Sequence, residues 1–513
     1  MDIHHLPYGS HTVGSLLLER AEATPDASFL RLENEFGVEE FDYADVVTLA
    51  RAGASALRTA GVGKGDVVGL ALPNGRGFFA CWFGAALLGA IIAPMNPRGT
   101  VEEFAHMIRH SSSAAVVCER QAAERIQAAT AGHGVEIITA GDDFEDRSVT
   151  SDRVVSIPAD LSPTETAAIL YTSGTSSAPK GVVVTHANYL HAGSVVAQHL
   201  RMRPDDRWLV VLPLFHANAQ YYCTMSSLVT GASLAVTHRF SASNWPAQVR
   251  RHDATLASLF AAPARMILRN ARGDSDAHNR LRATIFGQNL SPAELVEFES
   301  RFDCPLLQIY GMTETMAPPL LNPLVGLRDS TTIGRPVATR IRIVGEDGAE
   351  VAAGEIGELL VHGVPGVSLM SHYLDDADAT NAVLNDGWLR TGDLVRARDD
   401  GFVVFADRLR DIIKRSGENV SAAEIERVVD EHGDVLESAA VAIPDGLRDE
   451  AVKLVVVVRE GHTLTADELL RYCRQRLAQY KVPSVVEFVE ALPRTSVGKI
   501  QKSALRGTGG TRR

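Results

Sequence analysis

Short apolar runs alternating with helix-length amphipathic segments are what most restrict the folds open to this chain. VVGLAL (Val67 to Leu72), AIIAPM (Ala90 to Met95) and AAVVC (Ala114 to Cys118) are too short for helices and apolar at consecutive positions. That is the pattern of strands buried on both faces. Residues 43–60 put Val46, Leu49, Ala50 and Leu57 on one helical face, and the glycines at 61, 63 and 65 turn the chain into the first run. Strand and helix in alternation predict an α/β fold with substantial parallel sheet.

The texture changes twice. After about residue 330, ATRIRIV, GELLVHG and GFVVFADR are short, alternating and punctuated by Gly or Asp, which predicts a β-rich, antiparallel or barrel-like subdomain over about 330–409. From Arg410 a third pattern begins. Ser421 to Glu424 (SAAE) and Thr465 to Glu468 (TADE) read as capping boxes opening helices, and AAVAI and AVKLVVVV read as strands. A chain of 513 residues exceeds what one core sustains, roughly 250–300 residues. We therefore expect a large N-terminal domain over 1–409 and a small α+β domain over 410–513.

A formal charge of -13 argues against a general binder of nucleic acid or anionic membrane, which needs a basic surface. Any anionic ligand must then be held by local cations and backbone N–H groups. The five cysteines are scattered, with no C-x-x-C spacing, so neither a disulfide framework nor a zinc site is expected. The start, MDIHHLPYGSHTVG, lacks the charged and apolar regions of a signal peptide, and no run approaches the ~18 apolar residues of a membrane span. A cytoplasmic protein is expected; an oligomer of identical chains is compatible with these features and not required by them.

Four motifs carry chemistry. In YTSGTSSAPKGVVVTH (Tyr171 to His186) an apolar run enters a loop dense in hydroxyls and Gly, and a β-rich run leaves it. Thr172, Ser173, Gly174 and Thr175 offer hydroxyls and backbone N–H groups to phosphate oxygens, and Lys180 supplies charge where nearly all other basic residues are Arg. It is not a Walker A loop, because Lys180 lies between Pro179 and Gly181. The second motif, IYGMTET (Ile309 to Thr315), combines a flat ring, a hydroxyl and a carboxylate able to hold Mg²⁺ against phosphate. The third, WLRTGDL (Trp388 to Leu394), carries Asp393, a carboxylate of the kind that can accept from two neighbouring hydroxyls or simply close a turn. The fourth, LPRTSVGKIQK (Leu492 to Lys502), puts a Lys on a Gly-containing loop that would ordinarily be solvated.

The first string closely resembles the phosphate-binding signature of the adenylate-forming superfamily of acyl-CoA synthetases, peptide-synthetase adenylation domains and luciferases. The other signatures follow in order over almost the whole chain. IYGMTET, GEIGEL, VPG…YL…AT and IIKRSGENVS resemble most the crotonobetaine/carnitine-CoA ligase group. The resemblance implies the adenylate-forming fold with a mobile C-terminal domain, and ATP, Mg²⁺ and coenzyme A as ligands beside a small carboxylic acid. It implies that Tyr310, with Gly311 and Met312, meets adenine, that Thr313 contacts the α-phosphate and that Glu314 ligates the metal. It further implies that Asp393 and Arg408 hold the ribose, that Arg410 is the hinge, and that Gly417 lines the pantetheine channel. Lys499 would enter the active site to bridge carboxylate and α-phosphate, which suits a step that builds negative charge on phosphorus.

His216, after the apolar run of PLFHANAQ, is a candidate wall of the acyl pocket. One departure stands out. Many members carry Gly-Gly-Ala-Pro-Leu beside the adenylate, where this chain has FGQNL: Gly287 is kept, and Phe286 and Gln288 replace small residues. Bulk there is expected to reshape the acyl or nucleotide pocket. The activity implied is that of an AMP-forming acyl-CoA ligase. Open alternatives are an adenylation enzyme that loads a carrier protein, a partial ligase that only thioesterifies a preformed adenylate, and a catalytically silent nucleotide-binding scaffold.

Overall fold

A computed structural model describes residues 9–140, 157–158, 160–172, 179–415, 418–445, 449–494 and 500–506. Two compact units emerge: one within Met1–Thr172, Pro179–Arg340 and Val361–Leu389, the other including Ile341–Leu360 and Arg390–Arg513.

The apolar runs of the first unit become strands Val67–Ala71, Ile91–Pro94 and Ala115–Glu119, all in one six-stranded sheet. Its order is Glu136–Ala140, Ala115–Glu119, Val67–Ala71, Ile91–Pro94, Thr166–Thr172, Lys180–Thr185; the first five run parallel, and the last returns antiparallel as a hairpin. A nine-stranded sheet accompanies it. Its central strands Leu306–Tyr310, Ala283–Gly287, Leu256–Phe260, Arg207–Val210, Ser233–Thr237 and Ser28–Asn34 are parallel neighbours, so their carboxyl ends share one edge.

The expected helix at 43–60 is Tyr43–Thr59, with Asp42 capping its first turn; Val46, Ala50 and Leu57 are buried and Leu49 only partly. Helix Arg76–Leu88 is buried from Phe78 onward, as a helix apolar all round must be. The two helices meet through glycines. A Cβ on Gly53 would lie 2.0 Å from the Ala80 carbonyl oxygen, and one on Gly84 would lie 2.5 Å from the Ala54 nitrogen.

A five-stranded sheet in the order Ile341–Val344, Ile356–His362, Trp388–Ala397, Leu384–Asn385, with Val403–Arg408 on Trp388–Ala397, accounts for the β-rich texture. In the second unit, Val435–Asp445 and Asp449–Val458 pair antiparallel, and helices Ala422–Asp430 and Ala466–Arg474 pack over a core containing Ile425, Val429, Leu454 and Leu469. Thr465 forms the full capping box expected of it. Ser421 forms half of one: its hydroxyl accepts from the Glu424 N–H at 3.1 Å, while the Glu424 carboxylate is drawn to Lys481 at 2.7 Å. An ammonium is a stronger partner for that carboxylate than a backbone N–H. Among the described residues no helix is long and apolar enough to cross a membrane.

Candidate active site

The hairpin of the six-stranded sheet sets the first group of residues. Tyr171 lies opposite Gly181 and Thr172 opposite Lys180; Ser173, Gly174 and Thr175 lie outside the described residues. The outgoing strand then gains a neighbour from far along the chain. Leu374 N–H donates to the Gly181 carbonyl at 2.8 Å, Val183 N–H to that of His372 at 3.0 Å, and Ser371 N–H to that of Val183 at 3.0 Å. This register carries Tyr373 to the side of Lys180, whose Nζ sits 4.7 Å from the centre of the Tyr373 ring. The same tyrosine donates its hydroxyl proton to Glu314 Oε1 at 2.8 Å.

Glu314 arrives by a separate route. Strand Leu306–Tyr310 ends, the chain turns at Gly311, and one helical turn, Thr313–Thr315, follows. The Met312 N–H donates to Thr315 Oγ1 at 3.1 Å and Met370 N–H to the Glu314 carbonyl at 2.9 Å, which fixes the turn. Glu314 is only 6% exposed. Burial, reinforced by the Glu314 carboxylate, pushes the Tyr373 phenol well above its ordinary range. It therefore stays protonated, a fixed donor to the carboxylate. Tyr373 thus joins a cation and a carboxylate supplied by distant motifs.

The carboxyl edge of the nine-stranded sheet gathers the next group. Tyr310 is buried, Met312 and Thr313 are half-buried, and Gly311 is exposed. A Cβ at Gly311 would stand 2.7 Å from the Tyr222 hydroxyl, so the ring approaches because there is no side chain. Tyr222 belongs to a π-helical stretch, Asn218–Thr224, a geometry that recurs at functional sites. His216, half-buried, lies just before it with its ring 4.3 Å from that of Phe215. Gly287 ends its strand with the Phe260 ring 3.1 Å from where a Cβ would be. Gln288 follows in the left-handed region (φ 73°), and Gln308 Nε2 holds this turn by donating to the Gln288 carbonyl at 2.8 Å and to Asn289 Oδ1 at 2.9 Å. Phe286, expected to add bulk to a pocket, is fully buried in a cluster with Trp245, Phe298 and Phe302. Alternation along the strand sends its ring to the face opposite that of its neighbours Ile285 and Gly287.

The second unit holds another pair. Asp393 and Arg408 are register partners on adjacent strands, with Arg408 Nε 3.1 Å from Asp393 Oδ1. Arg410 falls in the single helical turn Leu409–Asp411; Gly417 and Lys499 lie outside the described residues. Sequence reasoning missed Tyr373 and Tyr222. Tyr373 sits in the VPG…YL…AT stretch, where only its distance from Lys180 and Glu314 along the chain hides its role.

The fold and these groupings define a class, and comparison with known proteins agrees with it. The AMP-binding enzyme family model matches residues 17–374, and that of the AMP-binding enzyme C-terminal domain matches 424–499. The chain belongs to the AMP-binding enzyme family, and it is an ATP-dependent, AMP-forming acyl-CoA ligase. It is 36% identical over 483 residues to a crotonobetaine/carnitine–CoA ligase of Escherichia coli O8, covering 91% of this chain and 93% of the relative. Among solved structures, the ATP-bound MatB of Rhodopseudomonas palustris superposes with a TM-score of 0.88 at 26% identity, over 96% of this chain and 98% of the other. A benzoate CoA ligase from Burkholderia xenovorans gives 0.87 at 26%, over 97% and 100%.

Proposed function

We propose that the chain activates a small carboxylic acid on ATP and passes the acyl group to coenzyme A, with the residue roles set out below. The observation that carries this reading is the meeting of Lys180 and Glu314 on Tyr373, which gives one spot a cation for phosphate and a buried carboxylate. In the first half-reaction a substrate carboxylate oxygen forms a bond to the α-phosphorus, and the bond from that phosphorus to the bridging oxygen breaks. Pyrophosphate leaves with the electron pair. Lys180 and the loop of Thr172, Ser173, Gly174 and Thr175 hold the departing phosphates, Thr313 contacts the α-phosphate, and Lys499 stabilises the charge that builds there. Tyr310, Gly311, Met312, Gly287 and Gln288 hold the adenine end; Asp393 and Arg408 hold the ribose. His216 and Tyr222 wall the acyl pocket. In the second half-reaction the CoA sulfur attacks the acyl carbon, the thiol proton passes to solvent, and AMP departs. Arg410 is the hinge between a domain over 1–409 and one over 410–513, and Gly417 lines the thiol's path.

Among the described residues no cluster of three or more His, Cys, Asp or Glu is arranged to hold a metal. A single buried carboxylate such as Glu314 suits Mg²⁺, which is commonly held by one or two carboxylates together with substrate phosphates and water. Bound there, Mg²⁺ would neutralise triphosphate charge. The enzyme is assigned to the cytoplasm, where ATP and CoA are at hand and its five buried, free cysteines stay reduced.

The burial of Phe286 in a cluster with Trp245, Phe298 and Phe302 speaks against its ring obstructing ATP and favours the full ligase over the partial one; Gln288 is the FGQNL residue left to test. The acids in the relatives' names, crotonobetaine and carnitine, are the first to try. The test is a panel of carboxylic acids scored by pyrophosphate release with and without CoA. Release that depends on acid, and acyl-CoA formed only with CoA, supports the reading; acyl transfer to a carrier protein and not to CoA refutes it.

A further inference from the structure

Helix Val101–His110 presents two imidazoles four residues apart, His106 and His110, stacked with ring centres 5.4 Å apart and planes at 25°. Neither belongs to a motif. Both face the base of the hairpin that carries Thr172 and Lys180. His106 Nε2 lies 3.1 Å from the Pro179 carbonyl oxygen. A carbonyl only accepts, so that nitrogen carries the proton. His110 Nδ1 lies 3.0 Å from the Tyr171 hydroxyl, which itself reaches the Met107 carbonyl at 3.2 Å. With the phenol proton given to Met107, the Tyr171 oxygen accepts from His110. The Tyr171 ring meets both imidazoles edge to face, at 6.2 and 5.8 Å.

We propose that His106, supported by His110, is a positioning residue for ATP: by holding the Pro179 carbonyl it fixes the peptide plane that precedes Lys180. Pro179 has no N–H and its φ is set by its ring, so the orientation of its carbonyl is the freedom left at that link. Locking it settles the direction in which the Lys180 side chain leaves the strand. On the partner strand, the Tyr171–His110 bond holds the residue before Thr172. One helix therefore contacts both Tyr171 and Pro179, the residues next to Thr172 and Lys180. The helix packs directly on the strand here: a Cβ at Gly181 would stand 3.6 Å from His110 Cε1, an ordinary contact, and 2.9 Å from an Ile169 methyl on the partner strand. This inference rests on the function proposed above, in that Lys180 is taken to hold the outer phosphates of ATP.

Calorimetric titration of the full chain with Mg·ATP and, separately, with AMP tests it without knowledge of the acid. AMP lacks the β- and γ-phosphates and does not call on Lys180. His106→Phe keeps the ring and the stack but deletes the donor; His106→Gln returns an N–H near the Nε2 position. The expected result is an ATP affinity about five- to tenfold weaker in His106→Phe, AMP affinity unchanged, and ATP affinity recovered in His106→Gln. Equal losses for both nucleotides, or no loss for ATP, overturn the clamp while leaving the enzyme reading intact. A parent that binds neither nucleotide overturns the function and the clamp with it.

Discussion

Tyr373 shows how a single side chain can hold a site together. Its hydroxyl serves Glu314 and its ring faces Lys180, so the two functions can be separated by mutation. Tyr373→Phe deletes the donor to a buried carboxylate and keeps the ring; acid-dependent pyrophosphate release should fall about tenfold, the scale of one charge-assisted bond. Tyr373→Leu removes both contacts and should cost about a hundredfold in the same assay. Equal rates for the two variants would remove the role assigned to the ring. Lys180 and Glu314 were legible in the sequence because each lies in a dense motif. Tyr373 was not, since its place depends on a register between segments nearly two hundred residues apart, with Leu374 bonded to Gly181. The direction of Phe286 was equally hidden: a strand buried on both faces has no polar side to mark its phase.

At the scale of elements, the apolar runs gave strands where expected, because four to six consecutive apolar residues bounded by Gly, Pro or Ser have few other homes. The close contact of helices Tyr43–Thr59 and Arg76–Leu88 was not legible, as a glycine inside a helix pattern does not name its partner. Gly53→Ala would force a methyl into the Ala80 carbonyl and should destabilise the protein by at least about 1–3 kcal/mol, read as a lowered thermal midpoint. Helix His186–His199 carries a pH dependence at its start. His186 is fully buried, its Nδ1 lies 3.4 Å from the Val13 N–H, and burial, opposed by Glu165, holds its pKa at about 4 against 6.5. Below pH 6.5 the unfolded chain takes a proton that the folded chain refuses until about pH 4. Its contribution to stability is thus complete above 6.5 and falls as pH drops through that window, by on the order of 3 kcal/mol. Urea midpoints at pH 7.5 and 5 should differ more for the parent than for His186→Asn; the same difference in both would contradict this.

For the whole molecule, length and changing texture predicted more than one domain, and the ordered motifs predicted the family that the comparisons bear out. The two compact units were less legible, since 341–360 and the chain from 390 group together across an intervening segment, 361–389. Contacts define that grouping, and composition does not reveal it. If Lys499 acts only while charge builds on phosphorus, Lys499→Ala should lower acid-dependent pyrophosphate release by at least about a hundredfold and still convert a preformed acyl adenylate to acyl-CoA. Loss of both half-reactions would assign it a different role. The most direct measurement is the nucleotide product balance with the best acid of the panel and CoA. The account predicts one AMP and one pyrophosphate for each acyl-CoA. ADP and phosphate in their place, or acyl-CoA formed without AMP, would contradict it.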